Sequence, residues 1–130
     1  MKFTQSQIDE MVAHAQDDAP NECCGLVAAK DGAATSVHRA INAAASPLRY
    51  EIDSADYLRI YKLIDEADEE VGAIYHSHTR SAAWPSQTDI NLALWPEALY
   101  IIVSLAEDEP VVKAFSIVDR KVAEVELEIV

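Results

Sequence analysis

The chain has 130 residues, half of them hydrophobic, with 23 acidic side chains against 10 basic ones and a formal charge of −13. It contains no apolar run of the roughly 18 residues a membrane-spanning helix needs, and its charge argues against a phosphate-backbone partner. The length suits one domain, residues 1–130, with a core of its own.

Met1–Ser6 lacks the apolar stretch of a secretory leader, so a cytoplasmic protein is expected. The two cysteines are the neighbours Cys23 and Cys24, which point to opposite faces in a strand and so do not pair with one another. A reducing compartment agrees with that.

The elements follow in order. Thr4 to Asp18 reads as a helix with a Thr4/Gln7 capping box and an apolar stripe of Ile8, Met11, Val12 and Ala15. His14 falls beside the stripe and is expected at the surface. After Pro20-Asn21, the run Glu22-Cys23-Cys24-Gly25-Leu26-Val27-Ala28-Ala29 reads as a buried strand, and Asp31-Gly32 as a turn. Thr35 to Ile41 is a second strand, in which His38 has no neighbouring ligand. Asn42 to Pro47 is a loop, and Leu48 to Ile52 a brief third strand.

Asp53 or Ser54 caps a helix to about Glu69, whose Tyr57, Ile60, Tyr61, Ile64 and Ala67 recur at core-facing spacing. Its acidic end, Asp65 to Glu70, reads as a solvated terminus, or else as a surface for a basic partner. Val71 to His78 is a strand, with Ile74, His76 and His78 on one face and Ala73 and Tyr75 on the other. Thr79 to Pro85 is a loop, Ser86 an N-cap, and Gln87 to about Leu94 a short helix. Leu99 to Leu105 reads as a central strand, followed by strands at Val111–Val118 and Val122–Ile129. The order α-β-β-β-α-β-α-β-β-β is that of an α/β protein with a mixed sheet flanked by helices.

The chemistry concentrates between His76 and Asp89. Residues two apart in a strand share a face, as do residues three apart in a helical turn. A loop between such elements brings His76, His78 and Asp89 together as three ligands for one divalent metal, with a position left open for water. Two imidazoles and a carboxylate suit Zn²⁺ at about 2.0–2.2 Å. The stretch holds no proton acceptor of its own. Glu22, a carboxylate at the edge of an apolar strand, is the candidate general base, with a pKa raised by desolvation. Ser86 is either an oxyanion donor or only a helix cap. A closed site that adds Cys23 and Cys24 to the histidines is disfavoured, because adjacent strand residues diverge.

His76-Ser77-His78, seven residues, Ser86, two residues and Asp89 match the H-[ST]-H-x7-S-x2-D signature, and Pro20-Asn21-Glu22-Cys23-Cys24-Gly25 resembles the P-x-E-x-C-G segment, of the JAMM (MPN+) metallopeptidases. The resemblance spans nearly the whole chain. It implies the cytidine-deaminase-like JAMM/MPN fold, a single zinc on His76, His78 and Asp89, Glu22 as general base and acid, and Ser86 as oxyanion stabiliser. The chain is most similar to small bacterial members that act on ubiquitin-like (β-grasp) sulfur carriers ending in Gly-Gly. That implies hydrolysis after the carrier's last glycine to release cysteine in cysteine biosynthesis. Cleavage of protein–lysine conjugates, as deubiquitinases perform, and a non-catalytic module that binds a carrier tail are the alternatives. Trp84 and the Leu48-Arg49-Tyr50 segment are the candidate walls of a tail groove.

Overall fold

The computed structural model describes Met1–Val130. Its elements are β1 (Lys2–Phe3), α1 (Gln5–Asp18), β2 (Cys24–Lys30), β3 (Ala33–Ala40), α2 (Ser54–Glu66), β4 (Glu70–His78), α3 (Gln87–Asn91), β5 (Leu99–Ser104), β6 (Val111–Val118), β7 (Lys121–Val125) and β8 (Glu128–Ile129). All eight strands join one mixed sheet in the order β7-β6-β5-β4-β2-β3-β1-β8. β4 and β5 run parallel, and β2 pairs antiparallel with both β3 and β4. β7 and β8 lie at opposite ends of that order yet are separated in the chain only by Glu126 and Leu127, so the sheet must curl to bring its edges together.

Side-chain alternation splits the core across the sheet. On one face Cys23, Val27, Ala73, Tyr75, Ile101 and Val103 pack with Ile8, Met11 and Ala15 of α1. On the other, Cys24, Leu26 and Ala28 pack with Ile60 and Ile64 of α2. The two cysteines therefore part as expected and are free and buried. The capping box of Thr4 and Gln7 starts α1, and Asp53 caps α2 through the Asp56 amide.

Four expectations need correction. Leu48–Ile52 is not a strand; a lone bridge joins Ile52 to Asn42. The reason is a side chain: Asn42 takes the Glu51 amide and donates to the Arg49 carbonyl, so these groups never enter a ladder. The last strand breaks at Glu126-Leu127, because its second half leaves β6 to pair with β1, an element too short to show a period. The third helix stops at Asn91 and α2 at Glu66, so that Ala67 lies beyond it and is exposed, and Tyr61, expected in the core, is 45% exposed. His14 is buried, its Nε2 3.2 Å from Asp18 Oδ2 and its Nδ1 2.7 Å from the Tyr75 hydroxyl. With Asp18 taking the Nε2 proton, Nδ1 accepts from Tyr75, and both ring nitrogens are satisfied away from water.

Gly25 lets β2 pass beneath Tyr75. A Cβ there meets the Tyr75 ring and the His38 carbonyl oxygen, and the latter, being backbone, cannot swing aside. Gly25→Ala is expected to destabilise the fold by about 2 kcal/mol or more, read from the urea midpoint; an unchanged midpoint rules out this close approach.

Candidate active site

β4 delivers two imidazoles to one face of the sheet and α3 delivers the carboxylate. His76 Nε2 lies 3.2 Å from His78 Nε2, and these two atoms lie 3.1 and 3.0 Å from Asp89 Oδ2. All three residues are buried, and they form the chain's one metal-ligand cluster of this kind. Four-coordinate ligands at about 2.0–2.1 Å stand about 3.3–3.4 Å apart in a regular tetrahedron. A triangle with sides of 3.0–3.2 Å is one face of that figure, slightly contracted.

The loop after β4 sets the orientation of these groups. The Ala82 carbonyl lies 2.9 Å from His78 Nδ1 and takes its proton, which turns the Nε2 lone pair toward Asp89. The Ser104 hydroxyl donates to the Ser81 carbonyl at 2.6 Å and pins the same loop to β5. Ser86 and Asp89 form a capping box: Ser86 Oγ accepts from the Asp89 amide at 3.1 Å, and Asp89 Oδ2 from the Ser86 amide at 2.9 Å. The Ser86 hydroxyl proton remains free to donate elsewhere. His76 Nδ1 has no hydrogen-bond partner; its ring is held instead by stacking on Tyr50, with centroids 4.4 Å apart and planes at 22°.

The donor set fits a cation. Two imidazole lone pairs and a carboxylate oxygen, all acceptors, converge within hydrogen-bond distance, and only a positive charge relieves that arrangement. Burial works against the Asp89 charge, but in the metal-free protein hydrogen bonds from protonated His76 and His78 outweigh it and hold the carboxyl far below the usual range. Burial lowers the His76 pKa, favouring the neutral ring that a metal needs.

Glu22 stands beside this cluster. Cys24 pairs with His76, so the antiparallel register carried two residues on sets Glu22 opposite His78, on the ligand face. The link between is closed by the Cys23 amide donating to Ser77 Oγ at 2.7 Å and the Ser77 amide donating to the Cys23 carbonyl at 3.2 Å. Glu22 is 4% exposed, and its Oε1 is buried without a partner. Burial pushes its pKa up to about 7, with the charges of His78 and Asp89 acting on it in opposite senses. The neighbouring thiols of Cys23 and Cys24 lie outside the ligand cluster, and burial lifts both to about 12.

Arg49 and Tyr50 line a groove of about 550 Å³ with Leu92, Leu94 and Trp95, and the same Tyr50 ring stacks on His76. Leu48 is 80% exposed and does not line it. Trp84, the other expected wall, does not line it either; it is 51% exposed, two residues beyond the Ala82 carbonyl, with its ring edge-on to Phe115. No helix is long and apolar enough to cross a membrane.

Residues 4–118 match the family described as prokaryotic homologs of the JAB domain. The chain belongs to that family. The CysO-cysteine peptidase of Mycobacterium tuberculosis is 38% identical over 90% of this chain and 82% of its own length. The desampylase of Haloferax volcanii is 36% identical over 74% of each chain. Among solved structures, the solution structure of DSY2949 from Desulfitobacterium hafniense superposes with a TM-score of 0.89 at 34% identity, covering 98% of this chain and 91% of the other. The JAB1/MPN domain protein AF2198 from Archaeoglobus fulgidus has the same fold at a TM-score of 0.68 and 22% identity, with 100% and 99% covered. The expected JAMM/MPN architecture is therefore the one present.

The sequence places Tyr50 as a candidate groove wall but shows neither its stacking on His76 nor the role of Asn42. The stacking carries no local signal, because Leu48-Arg49-Tyr50-Glu51-Ile52 reads as strand. Asn42 carries none either, since an asparagine at the start of a loop is ordinary.

Proposed function

We propose that this chain is a zinc-dependent peptidase that hydrolyses the bond after the C-terminal glycine of a ubiquitin-like sulfur-carrier protein and releases cysteine. The observation that carries this reading is the triangle of His76 Nε2, His78 Nε2 and Asp89 Oδ2 with the buried, unpartnered Glu22 carboxylate beside it. The cysteine leaving group follows the relatives named for that reaction, the nearer in identity of the two curated proteins compared.

His76, His78 and Asp89 hold the zinc, which when bound acidifies a water and polarises the scissile carbonyl. Glu22 accepts the proton from that water and returns it to the departing amine, a double duty suited to a carboxyl with a pKa of about 7. The Ser86 hydroxyl, with its oxygen anchored by the Asp89 amide, donates to the carbonyl oxygen as charge builds there. The carrier tail lies extended in the groove at Arg49 and Tyr50, where a diglycine end passes most easily.

Incubation of the zinc-loaded protein with a carrier–cysteine and a carrier–lysine conjugate, with and without chelator, tests the reading by the mass of the intact carrier. Chelator-sensitive loss of cysteine is expected. Cleavage of the lysine conjugate alone supports the second reading, isopeptidase action on protein conjugates, which the relation to the Haloferax desampylase favours. Tight binding without turnover of either leaves only a tail-binding module.

Trp84→Ala is expected to raise KM about 3–10-fold, the worth of one aromatic contact, with kcat and thermal midpoint unchanged because the ring is half in solvent. A KM equal to wild type removes Trp84 from contact with the substrate.

A further inference from the structure

Glu22 precedes β2, and neither of its main-chain groups is held by a regular ladder. Its amide donates to the Ser46 carbonyl at 2.9 Å, and its carbonyl accepts from Asn42 Nδ2 at 3.1 Å. Both partners belong to the connection between β3 and α2. The register explains the meeting: Cys24 pairs with Ala40 on one side and His76 on the other, so two residues on, Glu22 lies between Asn42 and His78.

Asn42 is buried and spends its whole hydrogen-bonding capacity here. Nδ2 donates to the Glu22 carbonyl and, at 3.0 Å, to the Arg49 carbonyl. Oδ1 accepts from the Ala44 amide at 3.0 Å and the Glu51 amide at 2.9 Å. Two carbonyls on one side and two amides on the other fix the amide's orientation and leave no other side chain able to replace it. The same bonds to Arg49 and Glu51 bracket Tyr50, the residue stacked on His76.

We propose that Asn42 is the positioning residue of this centre: one side-chain amide ties the backbone of Glu22 to the Ala43–Glu51 loop, setting the base against the metal ligands and laying Tyr50 over His76. The inference rests on Glu22 serving as the base in the function proposed above. It makes the loop more than a connection, since a shift of the clamp moves a carboxylate and a ligand cover together. Asn42 does not touch substrate; it acts through Glu22 and Tyr50.

Asn42→Ala and Asn42→Asp, loaded with zinc, test this with a carrier–cysteine conjugate. Metal content equal to wild type is expected, with kcat lowered about 10–100-fold, the usual cost of losing a supporting hydrogen bond, and KM moved less than about 3-fold. In a Glu22→Gln background, read by single turnover with enzyme in excess, Asn42→Ala is expected to lower the rate less than about 3-fold further, because residues acting through one group are not additive. The Glu22 amide is expected to lose hydrogen-exchange protection by NMR, while the amides of β4 keep theirs.

A wild-type kcat in either variant overturns the proposal, as does an undiminished loss in the Glu22→Gln background. Asn42→Asp keeps both acceptor bonds, so it carries the same readings if Asn42→Ala does not fold. If the wild-type protein cleaves no conjugate, the functional reading fails. The exchange measurement still decides the clamp in that case, since unchanged protection at Glu22 overturns it.

Discussion

Replacing Glu22 with Gln is expected to lower kcat by about 10²–10⁴-fold, the usual worth of a general base, while zinc remains bound in wild-type amount. The ligand triangle does not include Glu22, so metal retention separates a lost proton acceptor from a collapsed site. The pH dependence follows from the same group. Burial lifts Glu22 to about 7, and the base must be ionised to act, so kcat/KM rises with pH through its pKa. A bound dication pulls that limb to or below about 7. In metal-free protein the carboxyl has the opposite consequence for stability. Its pKa is 4.5 unfolded and about 7 folded, so between those values the native state binds more protons, and stability falls as pH rises. Glu22→Gln therefore stabilises chelated protein by about 1–3 kcal/mol at pH 8 and has little effect near pH 4. Full activity in the variant, or a thermal midpoint shift independent of pH, removes Glu22 from this role.

What the sequence discloses about this centre is whatever depends on period and spacing. Strand alternation alone places Ile74, His76 and His78 on one face, and a three-residue step in a helical turn joins Ser86 to Asp89; both stand as expected in the structure. Glu22 was visible because a carboxylate beside an apolar strand needs a reason. The hidden parts are those in which a side chain replaces a ladder. Leu48–Ile52 has strand composition, but its backbone groups go to the Asn42 amide, and no local pattern signals that exchange. His14 sits off the apolar stripe and is buried because Tyr75 and Asp18, one of them distant in sequence, satisfy both nitrogens. The change of partner between β7 and β8 likewise turns on β1, a two-residue strand with no period to read.

Removal of the metal is expected to abolish conjugate cleavage and to lower the thermal midpoint, by about 10 °C or more if zinc is present at about 1,000 times its Kd. The folded chain brings three acceptors within 3.2 Å of one another, a cost that only a cation or a proton offsets. Without metal that cation must be a proton on the histidines. Burial opposes a charge on His78, but the Asp89 carboxylate and the Ala82 carbonyl outweigh it and raise its pKa above the ordinary value. A raised folded pKa gives stability that is present below the unfolded value of 6.5 and lost as pH climbs through the folded one. Glu22 has the same sign over its own range, whereas the lowered His76 and the depressed Asp89 act oppositely only below their unfolded values of 6.5 and 3.8, so chelated protein should weaken as pH climbs above about 6.5. The loaded protein should not, because protons compete with the metal for His76, His78 and Asp89, and that competition eases as pH rises. The gap between loaded and chelated midpoints is thus expected to widen from pH 6 to pH 8. His76→Ala, which removes a ligand, should show the chelated behaviour with or without added zinc. A midpoint indifferent to chelator across that range, or zinc stabilisation retained in His76→Ala, overturns the assignment of these three residues as the metal site.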